Sequence, residues 1–145
     1  YFLTAAAEEA QGIDRGAAGP GWSRTGLGFQ AWLTPTAAPP DARPVCRFYG
    51  TPGIGPNSHF YTIDPAECAG VQNDPGWQLE ATDVFYLVPP ANGACAQGRR
   101  AVLRAYNNRY AQNDSNHRYA TDSIAYNQVL ARGWLGEGVV MCAAQ

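Results

Sequence analysis

Short runs of aromatic and β-branched residues alternate with turn-forming residues along the chain. Residues 45–49, 59–63, 77–81 and 84–88 read as strands on this pattern. After the second run, Asp64 can cap a helix, with Pro65 at its first position and Glu67 three residues after the cap. That predicts a helix over 65–72. Tyr126, Val129 and Leu130 fall at i, i+3 and i+4, which predicts a helix over 123–132 with those side chains toward the core. A further helix is expected over 6–15, ending or kinking near Gly12. Segments 34–44 and 89–100 are rich in Pro, Ala and Gly and read as linkers.

The pattern repeats. His59-Phe60-Tyr61-Thr62-Ile63-Asp64 returns as His117-Arg118-Tyr119-Ala120-Thr121-Asp122. Each is followed by a helix and then by Gly-Trp, at Gly76-Trp77 and Gly133-Trp134, with Glu80 and Glu137 three residues after the Trp. Val45-Cys46-Arg47-Phe48-Tyr49 matches Val102-Leu103-Arg104-Ala105-Tyr106. The N-terminal segment reads as a third copy. Tyr1–Thr4 is laid on residues 60–63, which puts Glu8 on Glu67, Ala5 on Asp64 and Gly21-Trp22 on the Gly-Trp pair. Thr25 stands where the other copies have Glu. On this alignment the first copy lacks its opening strand, and its His would precede Tyr1.

These readings predict one domain over 1–145 built from three repeats: about 1–40 (incomplete), 41–98 and 99–145. The expected class is mainly β with short helices (α+β). Small antiparallel sheets would be arranged with pseudo-threefold character, propeller-like or trefoil-like. One repeat is too small to bury its own face, so the linkers need not be domain boundaries.

Composition narrows the function classes. The net charge of -2 gives no electrostatic case for nucleic acid or an anionic membrane. All ten cations are Arg. Codon bias and selection for planar hydrogen bonding both account for that. No apolar run reaches the length of a membrane span, so membrane insertion is not expected. The chain begins at Tyr1 without a basic-then-apolar leader, which reads as a processed product or a fragment. Four cysteines without C-x-x-C spacing suggest two disulfides and an exported protein. Of three pairings, Cys46–Cys68 and Cys95–Cys142 are favoured. Buried free thiols are the alternative.

Arg47-Phe48-Tyr49, His59 to Thr62, Ala66-Glu67 and Gly76 to Glu80 carry a family resemblance. Asp114 to Tyr119 and the ending Glu137 to Cys142 fit it as well. The chain resembles a family of secreted bacterial repeats of unknown function marked by H-F-Y-T and G-W-x-x-E-G signatures. The resemblance implies an exported accessory domain, of a kind found beside cell-wall or polymer-acting modules. It carries over no catalytic residue. In that family the first copy opens with a strand ending in Asp-His.

No nucleophile elbow, phosphate loop or H-E-x-x-H is present, so no catalytic residue, metal or cofactor is assigned. The glycine-rich turn 50–56 lacks a Lys, and its prolines remove backbone donors. His59 and His117 read as hydrogen-bonded spacers, and Asp64 and Asp122 as helix caps. Glu80 and Glu137 read as partners for Arg47 or Arg104, and Trp22, Trp77 and Trp134 as core. The richest binding candidate is the turn holding Asn107, Asn108, Arg109, Tyr110, Asn113, Asp114 and Asn116. Its amides and Asp can bond sugar hydroxyls, and Tyr110 can stack on a pyranose. Turn chemistry also accounts for its Asn and Asp, because they tolerate the backbone of a hairpin turn. Trp32 has no counterpart in the other copies and is a second candidate. The expected function is therefore a non-catalytic, extracellular or cell-surface module for a glycan or cell-envelope polymer. The alternative is a structural, assembly or adhesive protein that forms homo-oligomers or accepts a strand at the edge near Tyr1.

Overall fold

The computed structural model describes residues 1–145. The order is α1 (Ala7–Asp14), β1 (Arg43–Pro44), β2 (Cys46–Gly50), β3 (His59–Thr62), α2 (Pro65–Gln72), β4 (Trp77–Ala81), β5 (Tyr86–Leu87), β6 (Arg99–Tyr106), β7 (His117–Ala120), α3 (Ser123–Leu130) and β8 (Leu135–Ala144). The protein is mainly β with three short helices. Its sheets are small, antiparallel and separate: β1-β5, β3-β2-β4 and β7-β6-β8. None closes into a barrel.

The two three-stranded sheets share one plan. A central strand carries an Arg opposite a Tyr, Arg47 facing Tyr61 and Arg104 facing Tyr119. A helix follows the second strand in each. Asp64 starts α2 by accepting from the N–H groups of Ala66 (2.7 Å) and Glu67 (3.0 Å). Asp122 starts α3 by accepting from Ala125 N–H at 2.8 Å. Tyr126, Val129 and Leu130 are half-buried on α3, as the spacing predicts. The glycine-rich turn after β2 is set by crowding. A Cβ on Gly50 would collide with the Pro56 carbonyl, and one on Gly55 with that of Gly76.

The main core joins Val45, Tyr61, Ile63, Phe85, Leu87, Val102, Tyr119, Met141 and Ala143, with Tyr1, Leu3 and Phe29 packed against it. Cys46, Phe48 and Phe60 form a second cluster backed by Cys68 and Trp77. The cysteines pair as Cys46–Cys68 and Cys95–Cys142, and none is free. The first pair staples β2 to α2. The second holds the 89–98 linker against β8.

Tyrosine hydroxyls tie the segments together. Tyr119 Oη accepts from Tyr61 N–H (2.9 Å) and donates to Tyr61 C=O (2.8 Å). Tyr61 Oη accepts from Leu3 N–H (2.8 Å) and donates to Leu3 C=O (2.9 Å). Tyr1 Oη donates to Tyr119 C=O at 2.7 Å.

These contacts shift the expected alignment of the first segment by one residue. Leu3 takes the place of Tyr61, so Tyr1 stands where His59 does. Thr4 Oγ1 accepts from Ala6 N–H as Thr62 Oγ1 accepts from Asp64 N–H. Ala6 rather than Ala5 is therefore the uncapped helix start, and Glu9 rather than Glu8 matches Glu67. The slip arises because Tyr1-Phe2-Leu3-Thr4 and Phe60-Tyr61-Thr62 offer aromatic matches in two registers, and only the contacts separate them. The His position is thus Tyr1 itself and lies within the chain.

Candidate functional site

The repeated charged residues form two ion clusters. The Arg47 guanidinium donates to both carboxylate oxygens of Glu9, at 3.0 and 2.9 Å. Its Nε lies 2.8 Å from Glu80 but off the hydrogen-bonding direction, so that contact is ionic. Phe2 packs under the guanidinium at 4.9 Å. Arg104 repeats the pattern with Glu67 (2.9 and 2.8 Å), Glu137 (2.9 and 3.1 Å) and the ring of Phe60 at 5.0 Å. Each Arg thus bridges a helix of the preceding segment to a strand of its own sheet. Bidentate Arg–carboxylate pairs beside an aromatic face are strong and directional.

Burial works against the charge of Glu67, but Arg104 still holds its carboxyl below the ordinary range. Glu9 behaves likewise beside Arg47. His59 and His117 lie next to these clusters, 3.4 Å from Glu80 and 3.7 Å from Glu137. Burial, reinforced by Arg47, pushes His59 down to about 4. Burial and Arg104 push His117 down to about 3. Both imidazoles are neutral at neutral pH and serve as packing rings. Phe2 meets His59 edge-on at 4.8 Å, and Phe60 meets His117 at 4.7 Å. The acids of these clusters are held by arginine, and no group of three or more His, Cys, Asp or Glu is placed to hold a metal ion. A cavity of about 660 Å³ opens beside Arg104 and Glu67, lined also by Arg43, Pro89 and Pro90. Of its charged lining, Arg104 and Glu67 are already paired with each other, and Asp64 caps α2.

The 107–116 turn divides into scaffold and surface. Asn107 is scaffold: its Nδ2 donates to Asp114 C=O and its Oδ1 accepts from Asn116 N–H. Asn113 adopts a left-handed backbone and donates its Nδ2 to Ile54 C=O at 2.7 Å. Asn116 is half-buried, with an unpartnered side-chain oxygen. Asn108 is exposed in a left-handed conformation. Arg109 pairs with Asp114 at 3.0 Å, and both stay more than half exposed. Tyr110 projects from a 3₁₀ turn (Tyr110–Gln112) with 68% exposure. Ile54, 60% exposed, lies on the neighbouring turn that Asn113 clasps. That apolar neighbour was not singled out in the sequence, because only the folded structure brings the two turns together.

Trp32 belongs elsewhere. It is half-buried, pairs its backbone with Tyr86 and sits under the Arg99 guanidinium at 4.9 Å. Arg99 and Tyr106 are opposite ends of β6, about 23 Å apart at strand rise. Trp32 and the 107–116 turn therefore form no common site. Trp77 and Trp134 are half-buried, but Trp22 is 42% exposed, contrary to its reading as core. A second cavity, of about 920 Å³, runs along Tyr1–Ala5 and from Pro20 to Phe29 and explains that exposure.

A family model described as "Domain of unknown function (DUF5648)" matches residues 1–144, so the chain belongs to that family. No curated protein and no solved structure matches it.

Proposed function

We propose that this member of the DUF5648 family is a non-catalytic extracellular module that binds a glycan or cell-envelope polymer through its 107–116 turn. The carrying observation is Tyr110, an exposed ring on a turn braced from below by Asn107 and Asn113. A braced aromatic face flanked by Arg109, Asp114 and Asn108 suits stacking on a sugar with hydrogen bonds at its rim. Two disulfides support residence in an oxidising compartment. No helix is long and apolar enough to cross a membrane. The recurrent His, Arg, Glu and Asp side chains are engaged in packing, ion pairs and caps, which supports a non-catalytic role.

The same recurrence supports an architecture of three copies of one unit about a pseudo-threefold axis. The tyrosine clasp closes from segment to segment in a ring. Phe2, Phe60 and Arg118 hold one position, packing on His59, His117 and Tyr1 in turn.

Polysaccharide pull-down or glycan-array binding tests the functional reading. The expected result is retention on a cell-envelope polymer, lost in the Asn108→Ala plus Tyr110→Ala variant. Retention unaffected by that variant, or no retention by the native protein, overturns it.

A further inference from the structure

Within residues 1–145 the first segment contains counterparts of both outer strands of a three-stranded sheet, and no strand runs between them. Tyr1–Thr4 corresponds to β3, and residues 22–26, starting at Trp22, correspond to β4. Neither pairs with another strand. Residues 1–5 and 20–29 make no backbone-to-backbone hydrogen bond. Between them runs the 920 Å³ cavity, with Trp22 and Leu27 exposed on its wall. In the other two sheets the equivalent space is filled by β2 and β6.

The charges around the gap say what fits. β2 and β6 each present an Arg to three partners: a helix Glu, a strand Glu and an aromatic ring. For β6 these are Glu67, Glu137 and Phe60. For β2 they are Glu9, Glu80 and Phe2. Around the gap all three have changed. The helix position is Ala125, the strand position is Thr25, and the ring position is Arg118. Arg118 stacks on Tyr1 at 4.7 Å and has no carboxylate partner. The one acid lining the cavity, Asp14, is held by Arg24 on the same wall, so an arginine in the gap would meet Arg118 and no free acid. A carboxylate there would meet Arg118.

We propose that this cleft accepts an extended peptide segment from outside residues 1–145 as a central antiparallel strand, and that the segment carries Asp or Glu where β2 and β6 carry Arg. Backbone bonding to two open edges supplies affinity, and Arg118 reads the acid. The proposal does not depend on glycan binding, because the cleft and the Tyr110 turn are separate surfaces.

Fluorescence anisotropy with two labelled hexapeptides tests it. One is Ala-Val-Leu-Arg-Ala-Tyr, the sequence of residues 101–106, and the other replaces its Arg with Glu. The Glu peptide should bind roughly tenfold tighter or better. Arg118→Glu should reverse the order, and Arg118→Gln should level it, with thermal melts confirming that both variants fold. Hydrogen exchange should show new protection at Phe2, Thr4 and residues 22–26 when the Glu peptide is bound, Leu3 N–H being held already by Tyr61. Tyr110→Ala should leave peptide binding unchanged, which separates this result from the polymer assay. Equal binding of the two peptides, no binding, or protection elsewhere overturns the proposal. So does protection at these edges without peptide in a protein that self-associates, since a second copy then fills the cleft.

Discussion

The segments at 1–26 and 46–81 contain the same local pieces. Each has a tetrapeptide ending in Thr, an eight-residue helix with Glu in its first turn, and a Trp beyond it. In one, the tetrapeptide is β3 and the Trp opens β4. In the other, neither stretch pairs as a strand and the Trp is exposed. The difference is the strand between them. β2 satisfies the backbone of both neighbours and plants Arg47 among Glu9, Glu80 and Phe2. Strand character here belongs to the pairing and is only permitted by the sequence of the outer pieces.

The largest test of that view removes the arginine at the centre of a complete sheet. Arg104→Ala leaves Glu67 and Glu137 facing each other without their cation. Its side chain is only 8% exposed. Breaking a fully buried, hydrogen-bonded ion pair costs about 3–5 kcal/mol; Glu67 and Glu137 are 35% and 28% exposed, so denaturant unfolding should show a loss of about 3 kcal/mol, at the low end of that range. Arg47→Ala should cost less, because Glu9 lies on α1, whose flanking stretches 1–5 and 20–29 pair with no strand. Equal losses would mean that the two clusters are equally buttressed.

The staple between β2 and α2 comes next. Replacing Cys46 and Cys68 together by Ala should cost about 2–4 kcal/mol. Denaturant unfolding measures the loss. Hydrogen exchange should place the loosening in the β2-β4 sheet and leave β6 protected.

The tyrosine clasp offers a graded comparison. Tyr119→Phe strands the buried N–H and C=O of Tyr61, which should cost about 1–3 kcal/mol. Tyr1→Phe removes one bond at a less buried place and should cost less. The same centre makes stability depend on pH. His59 and His117 are held at about 4 and about 3, below the unfolded value of 6.5. Below pH 6.5 the unfolded chain therefore binds more protons than the folded one. Their contribution is complete above that pH and is lost as pH falls, down to about 4 for His59 and about 3 for His117. Glu9 and Glu67 add loss in the same direction below their usual value of 4.5. The denaturation midpoint should drop between pH 7 and 5, and His117→Gln should flatten that slope.

Much of this was legible in the chain. Asp64, Pro65 and Glu67 marked the start of α2 because capping is local chemistry. The His-x-Tyr echo exposed β3 and β7 as equivalents because both obey the same contacts. The register of the first segment was not legible. Tyr1 and Phe2 satisfy a hydrophobic pattern in either of two positions, and only the hydroxyl of Tyr61 on Leu3 decides between them. The binding turn was half legible. Its amide density was visible, but Asn107 and Asn113 are used up in holding the loop, and the Ile54 neighbour comes from 59 residues before Asn113 in the sequence.

The smallest expected effect bears most directly on the comparison. Ala6 starts α1 without a side-chain cap, whereas Asp64 caps α2 twice. Installing the missing cap as Ala6→Asp should stabilise by about 1 kcal/mol if residue 6 is the true counterpart of residue 64. Asp at the neighbouring position, Ala5→Asp, should instead destabilise, because Ala5 is half-buried and packs against the core. The pair of variants separates the two registers by sign. A gain at Ala5 with a loss at Ala6 would restore the alignment suggested by the sequence and would move Glu9 off the Glu67 position. The correspondence that sets Ala125, Thr25 and Arg118 around the proposed peptide cleft stands on the same register.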